Sequence, residues 1–422
     1  MPPKVLQVEV TNRCNFSCAY CIRNYWRAKP RDMRLSLFRR AIEGVDSVER
    51  IDLYGFGEPL LNPELAEMIR ETSRRFDDAE IFLSTNGSMA NEETVEELFR
   101  LGLSSISFSI DTLDLSKLEK IRRGAIGRRI RENLLSALRI KRRFDASVGI
   151  EVVVTKENYS ELPELISQAA EEGVDFITVT HVIPYTREVY EMACYLGISG
   201  PSLELLESVV DEAEEIIHGS VVELLSMSHF VNYKLSNYRK YRELWDKATE
   251  RGYWINLPLL LSQKDRVSLA RRCEELFKSC KKKAEEYGVL MDLPAVFLDA
   301  KNRSCRYMER EAVFIRSDGL VTPCMEFAYS HSEIVNGHVK EIHEVVMGDL
   351  KRSSISEIWG SEDYGKFRSI RKDLPRNMPW CGDCVYSSLD CWYVRSNELD
   401  CYGNTNTCNE CLYSVDIAKC VI

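Results

Sequence analysis

The chain has 422 residues, 45% of them hydrophobic and 29% charged, a composition that supplies a sizeable core and two or three domains. Its formal charge of -10 argues against a general nucleic-acid binder, and no run of about 18 apolar residues is present to span a bilayer. The first residues lack the layout of a secretory signal, so the sequence predicts a soluble, cytoplasmic protein.

An alternating apolar segment, residues 5–10, leads into Cys14, Cys18 and Cys21, spaced by three and two residues with Tyr20 before the last. Three thiolates on one tight loop hold three corners of a cubane iron-sulfur cluster and leave one iron open to a further ligand. A zinc knuckle and a disulfide framework are the alternatives. Zinc sites pair cysteines two apart and often close with histidine, yet no histidine lies in the first 180 residues. Clustered cysteines without a secretion signal favour metal over disulfides.

From residue 5 to about 185, short apolar strands alternate with amphipathic helical stretches, the pattern of repeated strand-helix units on a parallel sheet. Strands are predicted near 5–11, 50–56, 80–86, 105–111, 147–155 and 176–184. Helices are predicted near 35–47, 63–76, 91–101, 127–143 and 159–172, with Asn91 as a cap. The expected fold is an α/β, partial (β/α)6 TIM-like barrel over residues 1–185. A helical insertion follows at 186–300, and a small cysteine-rich iron-sulfur domain at 301–422.

Chemistry in such barrels gathers where strands end. After the second strand come Gly55, Phe56, Gly57, Glu58 and Pro59, where the glycines let backbone approach a ligand closely. The third and fourth strands end with Ser84 and Asn86 and with Ser109 and Asp111, groups suited to a ribose or a sulfonium, or equally to caps and turns. Glu151 on the fifth strand faces either a ligand or solvent. His181, Tyr185 and Asp111 are candidate bases without a motif behind them. Between Lys117 and Arg143 stand eleven Lys or Arg against two acids, either a solvated helix face or a docking patch for an acidic electron carrier or anionic substrate.

Residues 186–288 are helical in period and carry Tyr233, Tyr238, Tyr241, Trp245, Tyr253 and Trp254, expected in the core, with Cys194, Cys273 and Cys280 as buried thiols. A strand is predicted over 289–298. Nine of the fifteen cysteines follow: Cys305, Cys324, Cys381, Cys384, Cys391, Cys401, Cys408, Cys411 and Cys420. An Asp318-Gly319 hairpin brings Cys324 towards Cys305. Nine thiols suffice for two four-iron clusters, with a structural zinc at Cys408 and Cys411 as the alternative.

The triad, with Tyr20 before Cys21, resembles that of the radical S-adenosylmethionine (radical SAM) superfamily. Gly55 to Pro59 looks like the family's glycine-glycine-glutamate-proline motif, with Phe56 interposed. The resemblance implies a 4Fe-4S cluster at Cys14, Cys18 and Cys21 and S-adenosylmethionine cleaved there to a 5'-deoxyadenosyl radical. It also implies cofactor contacts from Tyr20, Gly55, Gly57, Glu58, Pro59, Ser84, Asn86, Ser109 and Asp111. The tail resembles the SPASM extension, which carries auxiliary clusters, although its spacings of two, six and nine depart from the usual two, five and three. By resemblance, one cluster takes Cys305, Cys324, Cys401 and one of Cys408 and Cys411, and the other Cys381, Cys384, Cys391 and Cys420. Residues 181–186 and 400–412 are similar to maturases of tungsten-containing aldehyde ferredoxin oxidoreductases. This implies an oxidoreductase or maturase that acts on a protein, peptide or metallopterin and takes electrons from a low-potential ferredoxin or flavodoxin. A radical enzyme on a nucleotide, pterin precursor or lipid, and a non-catalytic electron carrier, are the rivals.

Overall fold

A computed structural model describes residues 2–207, 212–226 and 235–422. Six parallel strands follow one another in a single sheet: β1 (Val5–Val8), β2 (Arg50–Asp52), β3 (Glu80–Thr85), β4 (Ser105–Ser109), β5 (Ser147–Val154) and β6 (Phe176–His181). Each strand is bounded by polar or glycine-rich segments and joined to the next by a crossover, as parallel pairing requires. The strands end up to four residues short of the sequence expectation, because hydrogen-bonded pairing stops where the ligand-bearing loops begin.

Helices cover the outer face with their apolar stripes. In Glu92–Arg100, Asn91 accepts from Thr94 N at 2.9 Å, and Glu92 and Glu93 occupy the first turn, where carboxylates complement the helix dipole. Val95, Leu98 and Phe99, at helical spacing, are buried beneath it.

After β6 the chain is mostly helical apart from β7 (Leu196–Ser199). The long helix Leu257–Tyr287 opens with Asn256 accepting from Leu259 N at 3.2 Å and closes at Gly288, whose φ of +70° suits a residue without Cβ. Its Ala270, Cys273, Phe277, Cys280 and Ala284, three or four apart, form the buried stripe. Cys194 is 1% exposed and Cys273 and Cys280 are both fully buried. Tyr238, Tyr241, Trp245 and Tyr253, by contrast, are only partly covered, and Trp254 is half exposed. These rings were expected in the core, but the helices bury a stripe of aliphatic and small side chains instead. Tyr233 lies outside the described residues.

The segment predicted as one strand over 289–298 divides. β8 (Leu290–Asp292) joins β6 in the main sheet, whereas β9 (Phe297–Leu298) pairs with β7. Beyond residue 301, β10 (Ala312–Ile315) lies parallel to β1, and the Asp318-Gly319 turn leads into antiparallel β11 (Leu320–Thr322). A separate hairpin, β12 (His331–Val335) with β13 (His338–Ile342), follows, and β14 (Gly348–Asp349) extends the main sheet beside β11. Glu9, fully buried, fastens this extension to the barrel by accepting from Ser317 N at 3.1 Å, Ser317 Oγ at 2.9 Å and Tyr329 Oη at 2.5 Å.

Residues 416–422 run along β6 to the beginnings of the strands. Ile417 O accepts from His181 N at 3.4 Å, Thr180 Oγ1 accepts from Lys419 N at 3.1 Å, and Val421 O accepts from Tyr54 Oη at 2.5 Å. Cys420, Val421 and Ile422 share a cavity with the first residues of β2 to β6 and β8. The tail therefore closes the sheet at the end opposite the cysteine triad. No helix among the described residues is long and apolar enough to cross a membrane.

Candidate active site at the ends of the parallel strands

The triad lies on the loop after β1, which hydrogen bonds to its neighbours hold in place. Ser17 N and Ala19 N donate to Arg123 O and Ile121 O at 2.8 and 2.9 Å, and Asn24 Nδ2 donates to Cys18 O at 2.8 Å. Arg23 braces the loop by donating to Asn12 O at 3.0 Å and Phe16 O at 3.2 Å. All three thiols are half-buried and unbonded to one another. Burial lifts the Cys18 thiol to about 11, with Arg122 pulling the other way, so a cluster must displace the proton as it binds. Phe16 N at 3.4 Å and Asn86 Nδ2 at 3.7 Å donate to Cys14 Sγ, an arrangement that favours a thiolate.

Gly57 and Glu58 form the second wall. A Cβ on Gly57 would press into the carbonyl oxygens of Thr11 and Arg13, and one on Gly55 would lie 2.6 Å from Glu9 Cγ. The close approach expected of these glycines is thus to the triad loop and β1. The Glu58 carboxylate, 1% exposed, accepts from Thr85 Oγ1 at 2.6 Å, Asn86 N at 2.7 Å and Leu60 N at 3.2 Å. Burial raises its pKa to about 6 against those donors. Glu58 also caps the short turn Pro59–Leu61, in which Pro59 is buried. It therefore ties the ends of β2 and β3 together beneath the triad.

Asn86 reaches the loop directly, donating to Asn15 Oδ1 at 2.8 Å as well as to Cys14. Ser84 points elsewhere: its hydroxyl donates to Glu151 Oε2 at 2.9 Å, and Ser107 donates to Oε1 at 2.6 Å. Glu151 is thereby held among strands β3 to β5 instead of facing solvent. Ser109 stands opposite Glu151 in the β4–β5 register.

Asp111 is 2% exposed and forms a two-point pair with Arg122, Nε to Oδ2 at 2.8 Å and an Nη to Oδ1 at 2.9 Å. Tyr20 Oη donates to the same carboxylate at 2.5 Å, and Val153 N donates at 2.9 Å. Both Tyr20 and Asp111 are therefore bonded to protein beside Cys18. Arg122 escaped sequence reasoning because it lies within the basic run at 117–143. Seven of that run's eleven basic side chains are paired with acids, which leaves little free charge for a docking patch.

His181 is no base. It is 1% exposed, with the tilted rings of Tyr195 and Phe277 at 5.3 and 5.5 Å, and burial holds its pKa down to about 3.

The nine later thiols fall into two groups. Cys305, Cys324, Cys408, Cys411 and Cys420 line one cavity, where burial and then the neighbouring thiols push Cys324 and Cys411 well up. Cys381, Cys384, Cys391 and Cys401 form the other: Cys401 feels Cys384 and Cys391, and Cys381 feels Cys384 and Cys401. This corrects the expected partition by exchanging Cys401 and Cys420. The course of the tail along β6 is the reason, since it carries Cys420 inward to the Cys305 cavity.

Thiols around one zinc would stand about 3.8 Å apart, given Zn–S bonds of about 2.3 Å in a tetrahedron. Among the described residues, the only three metal-binding side chains whose donor atoms all lie within 4.8 Å of one another are Glu326, His331 and Glu333. No three of the described cysteines meet that limit. Arg371 Nε donates to Cys408 Sγ at 3.2 Å and Asn409 Nδ2 to Cys381 Sγ at 3.4 Å, further support for anionic sulfur.

The Radical SAM superfamily pattern matches residues 8–169, and the SPASM iron-sulfur cluster-binding domain matches residues 305–385. The chain carries a radical SAM domain followed by a SPASM domain. The radical SAM domain implies a 4Fe-4S cluster and S-adenosylmethionine, and the SPASM domain implies auxiliary clusters. The tungsten-containing aldehyde ferredoxin oxidoreductase cofactor-modifying protein of Pyrococcus furiosus is 28% identical, over 99% of this chain and 97% of its own length. A GTP 3',8-cyclase of Rhizobium etli is 31% identical, but over 42% of this chain and 51% of its own. Among solved structures, Streptococcus suis SuiB bound to precursor peptide SuiA superposes with a TM-score of 0.53 at 15% identity, covering 87% of this chain and 67% of that one.

Two expected results arise here. Gly57→Ala in the radical SAM domain should displace the triad loop, lowering iron by about four per chain after reconstitution while the SPASM thiols keep theirs. In cluster-free protein, alkylation followed by peptide mass spectrometry should label Cys401, the one exposed cysteine, first. Cys194 and Cys273 should stay unlabelled until the chain unfolds, because reactivity follows thiolate character and access.

Proposed function

We propose that the chain is a maturase-type radical SAM enzyme that abstracts hydrogen from a protein, a peptide or a metallopterin cofactor. The observation that carries this reading is the likeness to the Pyrococcus furiosus cofactor-modifying protein, which runs through barrel, helical segment and cysteine-rich tail alike. The likeness to the GTP 3',8-cyclase favours a small nucleotide substrate, but it takes in less than half of this chain.

Cys14, Cys18 and Cys21 would hold the SAM-binding cluster, and the Asn86 amide and Phe16 N–H would stabilise its sulfur charge. S-adenosylmethionine held there would supply the radical chemistry, a 5'-deoxyadenosyl group able to abstract hydrogen. Glu58 fixes the ends of β2 and β3 around that place, and the Asp111–Arg122 pair holds Tyr20 against Cys18. Two auxiliary clusters are assigned to the SPASM region: Cys305, Cys324, Cys420 and one of Cys408 and Cys411 for one, and Cys381, Cys384, Cys391 and Cys401 for the other. A low-potential ferredoxin or flavodoxin would supply electrons.

The test is turnover by the reduced, reconstituted protein with a deuterated candidate substrate. Deuterium in 5'-deoxyadenosine, with a matching mass change in a peptide or metallopterin, supports the proposal. Deuterium arriving only from a free nucleotide would replace it with the small-molecule reading.

A further inference from the structure

Between the radical SAM loop and the SPASM thiols stands a group of polar side chains, one of which, Glu326, also lines the Cys305 cavity. Glu326 follows Cys324 by two residues, and His331 and Glu333 occupy alternate positions on β12, which puts them on one face of the hairpin. Oxygens of the two carboxylates and a ring nitrogen of His331 all lie within 4.8 Å of one another. His331 and Glu333 are 6% and 5% exposed, and the Glu326 side chain 11%.

The histidine is set up as a ligand. Tyr329 O lies 2.9 Å from Nδ1, and because a carbonyl can only accept, Nδ1 carries the hydrogen. That leaves Nε2, buried and without a hydrogen-bond partner, aimed at the carboxylates; its nearest contact is Glu326 Oε1 at 3.4 Å, ion-pair range beyond a full hydrogen bond. A backbone carbonyl fixing one nitrogen while the other faces inward is how proteins orient metal-binding imidazoles.

Apart from His331, the nearest cation to these carboxylates is engaged with other groups. Lys340 faces Glu333 across the hairpin, but its ammonium donates to Asn409 Oδ1 at 2.5 Å and Glu410 Oε2 at 3.3 Å. Glu410 is also contacted by His338 at 3.0 Å and Asn336 at 2.9 Å. Among the described residues, no other hydrogen bond reaches the Glu326 or Glu333 side-chain oxygens. Two buried carboxylates facing one imidazole are costly unless protons or a metal cation are shared among them.

We infer that Glu326, His331 and Glu333 form a divalent-cation site, beside the Cys305 cavity and without a cysteine ligand, that takes a first-row transition-metal ion. Two carboxylate oxygens and one imidazole nitrogen suit Mn2+ or Fe2+, and three protein donors leave positions open to water or a substrate oxygen. The Tyr185 ring meets His331 edge-on at 5.5 Å and lies 6.2 Å from Tyr25 of the triad loop, which sets the site one aromatic ring away from that loop.

Mn2+ is the probe, because oxidised four-iron clusters are diamagnetic and leave its electron paramagnetic resonance visible. Reconstituted protein, freed of loose metal on a chelating resin, is titrated with Mn2+, and pulsed spectra are recorded for nitrogen coupling. One saturable Mn2+ per chain with a single imidazole nitrogen is expected. His331→Gln should remove that coupling and, like Glu333→Gln, weaken binding at least about tenfold, while His343→Gln at an exposed position changes neither. No saturable Mn2+ in the wild-type protein, no nitrogen coupling there, or coupling that survives His331→Gln would overturn the assignment. Iron content measured in each sample separates loss of this site from loss of the clusters.

Discussion

Substituting Ala for any one of Cys14, Cys18 and Cys21 should abolish cleavage of S-adenosylmethionine to 5'-deoxyadenosine and lower the iron content from about twelve to about eight per chain. The loss should be specific, because most of the hydrogen bonds that hold the triad loop do not involve its thiols. Its backbone is bonded to residues 121 and 123, Arg23 holds Asn12 and Phe16, and Asn24 holds Cys18 O. The SPASM thiols lie in separate groups on other segments, so their eight irons should remain. Product chromatography and iron analysis on the same anaerobic samples decide the matter. Retained cleavage would remove the triad from the chemistry. A residual count near four, with zinc bound, would make part of the tail structural.

Much of this arrangement was legible because it rests on local rules. Apolar runs bounded by polar turns located β1 to β6, and the glycine-rich segment after β2 does lie against the triad loop. Asn91 with Glu92 and Glu93 marked a helix start that the structure contains. What escaped depends on the path of the chain in space. The spacing of Cys401 and Cys420 says nothing of a tail that returns along β6, so their groups were exchanged. Arg122 could not be told from its ten basic neighbours until Asp111 stood beside it. The segment 289–298 had a strand's composition, but Pro294 cannot supply a ladder hydrogen bond, and two short strands in different sheets result. His331 and Glu333 did carry a signal, an alternate-residue pattern in a short strand, but Glu326 joins them only through the turn after β11.

Removing Arg122 should be among the most destabilising single changes in the barrel. The guanidinium and Asp111 are 8% and 2% exposed, so Arg122→Met leaves a carboxylate in a dry site with only Tyr20 Oη and Val153 N to satisfy it. Breaking such a pair from one side costs about 3–5 kcal/mol, whereas replacing both partners with apolar groups of similar volume is often neutral. For a chain of 422 residues unfolding as a unit, the thermal midpoint of the cluster-free protein should therefore fall by about 1 °C per kcal/mol in Arg122→Met. Asp111→Leu with Arg122→Met should recover much of that loss, a coupling that a double-mutant cycle measures. The double variant then isolates the electrostatic role. Arg122 lies close enough to Cys18 to pull its thiol pKa down against burial, and a cation there also favours the more negative, reduced state of a cluster. In the double variant the triad cluster's reduction potential should depend on which charge dominates: a more negative potential than wild type means that Arg122 acts on the cluster as a free charge. An unchanged potential means that Asp111 cancels it and that the pair serves to position Tyr20.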